Sequence, residues 1–106
     1  MIQSTLRMEL PAARIADALQ VLGPVAERVR LEPGCLGCHV YLDALESNVV
    51  MFDQAWRSEE DLTRHLRSNE YRKVLLLMEM AIAQPEVRFN TIDHTSGFEL
   101  VEAARS

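Results

Sequence analysis

His65 follows Trp56 by nine residues and Asp61 by four, in a stretch that opens Trp-Arg-Ser-Glu-Glu-Asp. An imidazole titrates near neutrality and can both give and accept a hydrogen bond, so His65 is the side chain best suited to act as an acid, a base or a donor. The plain alternative is a boundary histidine that pairs locally with Asp61. His39 and Tyr41 share one face of a strand by its two-residue period, and Phe52, Gln54 and Trp56 share one face of the next. Together with Tyr71, these rings and their few polar atoms could line a pocket for a flat aromatic ligand. A packed interface between two copies of the chain would draw on the same residues. His94 suits a strand end or loop, and Arg72-Lys73 a solvated helix face.

Cys35 and Cys38 stand at the spacing of a redox dithiol or of half a metal site. Redox dithiols place the first cysteine at a helix start, where its pKa falls; here the pair leads into a strand whose parity predicts thiols on opposite faces. His39 alone does not complete a tetrahedral ligand set, so no metal site is expected. The chain also lacks a Gly-rich dinucleotide loop, a phosphate-binding loop, a His-Glu-x-x-His pair and a serine elbow. No cofactor is expected, which leaves a pocket for cofactor-free chemistry or for binding alone.

Periodicity supplies the elements that must hold these residues. Thr5–Leu10 alternates, with Leu6, Met8 and Leu10 on one side, and reads as a strand ended by Pro11. From Ala12 the apolar positions Ile15, Leu19, Leu22, Ala26 and Val29 recur at helical spacing, with a kink or break expected at Gly23-Pro24. Glu32-Pro33-Gly34 is a turn. Strands follow over Cys35–Asp43 and Val49–Arg57, joined by a polar connection. Ser58 with three acids behind it predicts a helix start, and Ser68-Asn69 a second one leading into the stripe Tyr71, Val74, Leu75, Met78 and Ile82. Gln84-Pro85 stops that helix. Val87–Ile92 reads as a fourth strand, with Gly97–Val101 as a short terminal extension free to pair with a partner chain.

The order β-α-β-β-α-β predicts an α+β fold, the split βαβ arrangement with a four-stranded antiparallel sheet carrying helices on one face. Apolar groups and rings on both parities of the second and third strands leave the other face in need of cover, which predicts a homodimer packed sheet to sheet. A chain of 106 residues and 12.0 kDa supports one core, hence a single domain over 1–106. The net charge of −5, with no basic run longer than two residues, argues against nucleic acid. No leader pattern and no long uncharged apolar stretch are visible, so no membrane span is expected and the cysteines are read as free thiols of a cytoplasmic protein.

From Glu32 to Arg72 the chain resembles the antibiotic biosynthesis monooxygenase family: a Glu-Pro-Gly-Cys turn at residues 32–35, a strand pair, then Trp56 through Leu62 followed by His65 and Leu66. The resemblance implies a ferredoxin-like dimeric α/β barrel. It also implies oxygenation of a small aromatic phenol, quinol or anthrone by molecular oxygen without metal or flavin, the deprotonated substrate itself reducing oxygen. Trp56 would then shape an aromatic pocket, and His65 would be the acid-base or hydrogen-bond partner. Haem-degrading relatives share the fold, but their haem-ligating histidine is expected near Leu75, and no histidine lies between His65 and His94. The alternative is a non-enzymatic small-molecule-binding or stress-related dimeric domain. A cavity faced by His65 and Trp56 with room for a ring system would favour oxygenation, whereas a closed, side-chain-filled sheet face would favour a structural or interaction role.

Overall fold

Alternation buries Ile2, Ser4, Leu6 and Met8 and turns Gln3, Thr5 and Arg7 the other way, producing β1 (Ile2–Glu9). A computed structural model describes all 106 residues, Met1–Ser106. A 3-10 turn at Ala12–Arg14 leads into α1 (Ile15–Val29), which buries Ala18, Leu22, Val25, Ala26 and Val29. Pro24 lies inside α1 without dividing it, contrary to one of the two expectations above. A proline inside a helix costs about 3 kcal/mol. Burying Leu22, Val25 and Val29 on either side returns roughly 1.5–3 kcal/mol each, so packing carries the helix across. Pro24 and Gln20, whose carbonyl loses its amide partner, both lie on the exposed side.

The remaining elements are β2 (Cys35–Leu42), β3 (Val49–Trp56), α2 (Glu59–Leu66), α3 (Asn69–Met78), β4 (Glu86–Thr91) and α4 (Phe98–Arg105). The sheet is antiparallel throughout, in the order β2-β3-β1-β4, with Leu6 opposite both Phe52 and Val87. This is the predicted split βαβ arrangement. The predicted α/β barrel is absent: β2 and β4 are free edges, and the sheet does not close on itself. Closure demands a consistent tilt and stagger around a full ring of strands, which four strands with two unpaired edges do not supply.

Helix α1 packs over β2 and against α3, while α2 packs over β3. The core between them holds Leu6, Met8, Leu22, Val29, Phe52 and Trp56 among sixteen buried apolar residues. Phe52 and Trp56 therefore belong to the helix side, and the opposite face is less apolar than the strand parities implied. It carries Leu36, Tyr41 and Met51 amid Gln3, Thr5, Arg7, Asp53 and His39.

A β-bulge corrects the reading of the cysteines. Cys35 lies opposite Trp56 and Gly37 opposite Ala55, so Leu36 is an extra residue on β2. One inserted residue reverses parity, and Cys35 and Cys38 both point to the helix side, opposite Trp56 and Gln54, while Leu36 joins His39 and Tyr41 on the open face. The terminus differs too. Helix α3 ends at Met78, and the Ile82 amide donates to the Glu9 carbonyl at 2.8 Å, so the chain leaves the helix to join the end of β1. Phe98–Arg105 is a helix, not a strand extension, and the Gly97 amide at its start donates to the Glu99 carboxylate at 2.7 Å. No residue of β4 or α4 is buried. Val87 and Phe89 face the helix side opposite Leu6 and Ser4, yet they stay exposed because no helix packs extensively over β4. No helix is long and apolar enough to cross a membrane.

Candidate functional site

Trp56 ends β3 and is fully buried, with its indole N–H donating to Gln54 Oε1 at 2.8 Å. The chain reverses directly after it. Ser58 adopts extended backbone and its hydroxyl accepts the Asp61 amide at 3.2 Å, which caps α2 and lays the helix back over β3. Positions 61, 62 and 65 form the inward face of that helix, and His65 is 0% exposed. Its ring stacks on Trp56 at a centroid distance of 4.7 Å and an angle of 27°. Tyr71, brought in by the Ser68-capped start of α3, meets His65 edge-on at 5.5 Å and 75°.

Glu32 completes this cluster. Its carboxylate oxygens lie 3.1 and 3.2 Å from His65 Nδ1. His65 Nε2 is buried without a hydrogen-bond partner. Burial pushes the imidazole below its usual value, opposed in part by the Glu32 charge and hydrogen bond and by the more distant Glu70. Burial also raises the Tyr71 phenol.

The turn that carries Glu32 is clamped to the helix that carries His65. Gly34 has φ of 81°, and a Cβ there would lie 2.1 Å from Asp61 Oδ2, so only glycine lets the turn approach α2 this closely. The Arg57 amide donates to the Gly34 carbonyl at 2.8 Å, and Arg64 donates to the Pro33 carbonyl and to Asp61 Oδ1. The Arg64 and Ser58 hydrogen bonds hold the Asp61 carboxyl below the usual carboxylate range.

The residues grouped from sequence into one pocket separate by sheet face. Phe52, Gln54, Trp56, His65 and Tyr71 lie on the helix side. His39 and Tyr41 lie on the other, opposite Asp53 and Met51, with their rings 6.0 Å apart. Cross-strand partners share a face, so Val40, not His39, accompanies Phe52. His39 Nδ1 accepts from the Arg30 guanidinium at 3.2 Å, and Arg30 Nε donates to the Cys38 carbonyl. Beside them a hollow of about 420 Å³ opens among Gln3, Leu36, Tyr41 and Ile92. None of the larger hollows is lined by Trp56 or His65. No three His, Cys, Asp or Glu side chains gather in a set that could ligate an ion.

Glu32 was not singled out by sequence reasoning. A carboxylate just before Pro-Gly reads as a solvated turn residue, and its partner is thirty-three positions away. The one available signal was its place at the head of the Glu-Pro-Gly-Cys motif.

The sequence profile of antibiotic biosynthesis monooxygenases matches residues 1–75. The chain belongs to the antibiotic biosynthesis monooxygenase family. Solved structures share the fold of this chain. A Deinococcus radiodurans protein assigned provisionally as an antibiotic biosynthesis monooxygenase superposes with a TM-score of 0.82 at 18% identity, covering 92% of this chain and 97% of its own. A conserved protein of Methanosarcina mazei Go1 gives 0.80 at 18% identity, covering 87% and 92%. The Rv0793 protein of Mycobacterium tuberculosis gives 0.78 at 18% identity, covering 90% and 98%. Identities this low speak for the fold alone. No protein of curated function matches the chain. Within this monooxygenase family member, Glu32, Trp56 and His65 all fall inside the matched segment, as do the clamp residues Gly34, Asp61 and Arg64.

Proposed function

We propose that this monooxygenase family member oxidises a small aromatic phenol, quinol or anthrone with molecular oxygen, and that His65 accepts the proton whose loss makes the substrate electron-rich. The observation that carries this reading is His65 Nε2, a buried nitrogen with no partner, on a ring held between Trp56 and Tyr71. A buried polar atom left unpaired costs about 1–3 kcal/mol, a cost that a hydrogen bond from a substrate hydroxyl removes. Tyr71 is the ring of the three that reaches the surface, so the substrate enters on its side. Trp56 offers an apolar face against His65, and Gln54 orients the indole. In the oxygenation, the substrate carbanion supplies the electrons; one oxygen atom becomes the new carbonyl and the other leaves as water.

A second reading, a non-enzymatic ligand-binding or stress-related domain, is favoured by the closed packing around Trp56 and His65 and by the separate hollow beside His39 and Tyr41. Oxygen uptake decides between them. Protein is incubated with a panel of quinols and anthrones beside the His65→Ala variant. Turnover above spontaneous oxidation that the variant loses supports oxygenation; rates equal to the buffer control throughout overturn it.

Homodimerisation belongs to the same reading, with all 106 residues acting as one domain. It is supported by fifteen large apolar side chains left exposed, among them Phe89 on β4 and Phe98, Leu100 and Val101 on α4. Cytoplasmic residence is supported by two cysteines that remain thiols.

A further inference from the structure

We propose that Glu32 is a positioning residue that holds His65 in the tautomer with the proton on Nδ1 and the lone pair on Nε2. An ionised carboxylate can only accept, so the nitrogen facing both of its oxygens at 3.1 and 3.2 Å carries the hydrogen. The opposite nitrogen is then a hydrogen-bond acceptor in a buried setting. A free imidazole has no carboxylate to impose this choice, and stacking on Trp56 fixes the ring plane without distinguishing the two nitrogens. The choice is made by Glu32.

The same contact serves a proton transfer. As Nε2 gains a proton and the substrate O–H bond breaks, the ring becomes an imidazolium whose charge sits against the Glu32 carboxylate. Glu70 also lies near His65, but its carboxylate accepts from Arg28 at 2.8 Å and from Lys73 at 3.3 Å and makes no bond to the ring. Glu32 is held in place for the task. The Pro33 and Gly34 carbonyls that follow it are bonded to Arg64 and to the Arg57 amide, and both donors belong to the segment that runs from β3 into α2. The turn and His65 therefore move as one body.

This role rests on His65 being the proton acceptor of the proposed reaction, while its test does not need a substrate. Nitrogen-15 NMR of the labelled protein above about pH 8, where the imidazole is neutral, reads the tautomer directly. The expected result is a protonated Nδ1 in the native protein and a shift toward protonated Nε2 in Glu32→Ala. The near-isosteric Glu32→Gln, which keeps the shape and removes the charge, is expected to move the His65 titration midpoint to lower pH. A native ring protonated on Nε2, or a midpoint unmoved in Glu32→Gln, overturns the proposal. With a substrate that the native protein oxidises, Glu32→Gln is expected to lower kcat about 10–100-fold with KM little changed. Absence of turnover in the native protein sinks the oxygenase reading, and the tautomer measurement then decides the role of Glu32 by itself.

Discussion

Trp56 and His65 lie nine residues apart in the chain and stack with their ring centroids 4.7 Å apart. The contact exists because Ser58 turns the chain straight from the end of β3 into α2, laying the helix back over the strand it has just left. Both rings are fully buried, so the pair is a structural element as well as the centre of the candidate site.

Truncating the indole tests the structural half of that statement. Trp56→Ala removes a fully buried ring and its hydrogen bond to Gln54, with an expected loss of about 3–5 kcal/mol in urea unfolding. Trp56→Phe keeps the stacking and loses the bond, so about 1–2 kcal/mol is expected. Equal losses in the two variants would mean that the stack contributes little.

Acid should destabilise the fold through His65. Its pKa is lowered on folding, so the unfolded chain binds the proton more readily. The contribution of the neutral buried ring is fully present above about pH 6.5 and is lost as pH falls through the lower folded value. His65→Phe preserves an aromatic ring in the stack and cannot take up a proton. The drop in urea midpoint between about pH 7.5 and about pH 5 should be smaller in that variant than in the native chain.

Gly34→Ala should loosen the clamp between the Glu32 turn and α2. The substitution meets a positive φ and places a methyl 2.1 Å from Asp61 Oδ2. A cost of roughly 1–3 kcal/mol is expected. A cycle with Asp61→Gly, which also removes the Asp61 Cβ that would lie 2.6 Å from the new methyl, separates the two causes: relief of the clash returns part of the loss, and the backbone strain stays. Strict additivity of the two substitutions would show that the approach of Gly34 to Asp61 is not close in solution.

The thiols should differ in reactivity although both face the helices. Burial raises both, and Cys38, 0% exposed, is pushed up to about 12, whereas Cys35 keeps partial access. A thiol reagent near neutral pH should label Cys35 first and Cys38 only after unfolding. Rapid labelling of both in the native protein would contradict the packing.

Features governed by short-range periods were legible in the residues. Alternation in Leu6, Met8 and in Phe52, Gln54, Trp56 marked the buried faces of β1 and β3, because successive strand residues must point to opposite sides. Ser58 and Ser68 marked the starts of α2 and α3, because a side-chain oxygen there accepts an amide that the helix leaves orphaned. The order of those elements was enough for the split βαβ topology, and His65 with Trp56 could be singled out from residue type and spacing.

Apart from the terminal helix, the rest was decided at a distance. Leu36 carries no mark in sequence that it is the extra residue of a bulge; only the pairing of Cys35 with Trp56 and of Gly37 with Ala55 makes it one, and that slip sorts both thiols and both exposed rings to their faces. Phe98–Arg105 shares its apolar spacing with a strand over a few residues, and with no core contact its own helical hydrogen bonds decide the matter. Whether the sheet closes depends on edges that no local pattern records. The sequence by itself determined the four strands and the helices between them, since dihedral preferences repeat locally along the chain. Tertiary structure alone brought Glu32 to His65 across thirty-three residues, because that contact follows from strand register and from the docking of one turn on one helix.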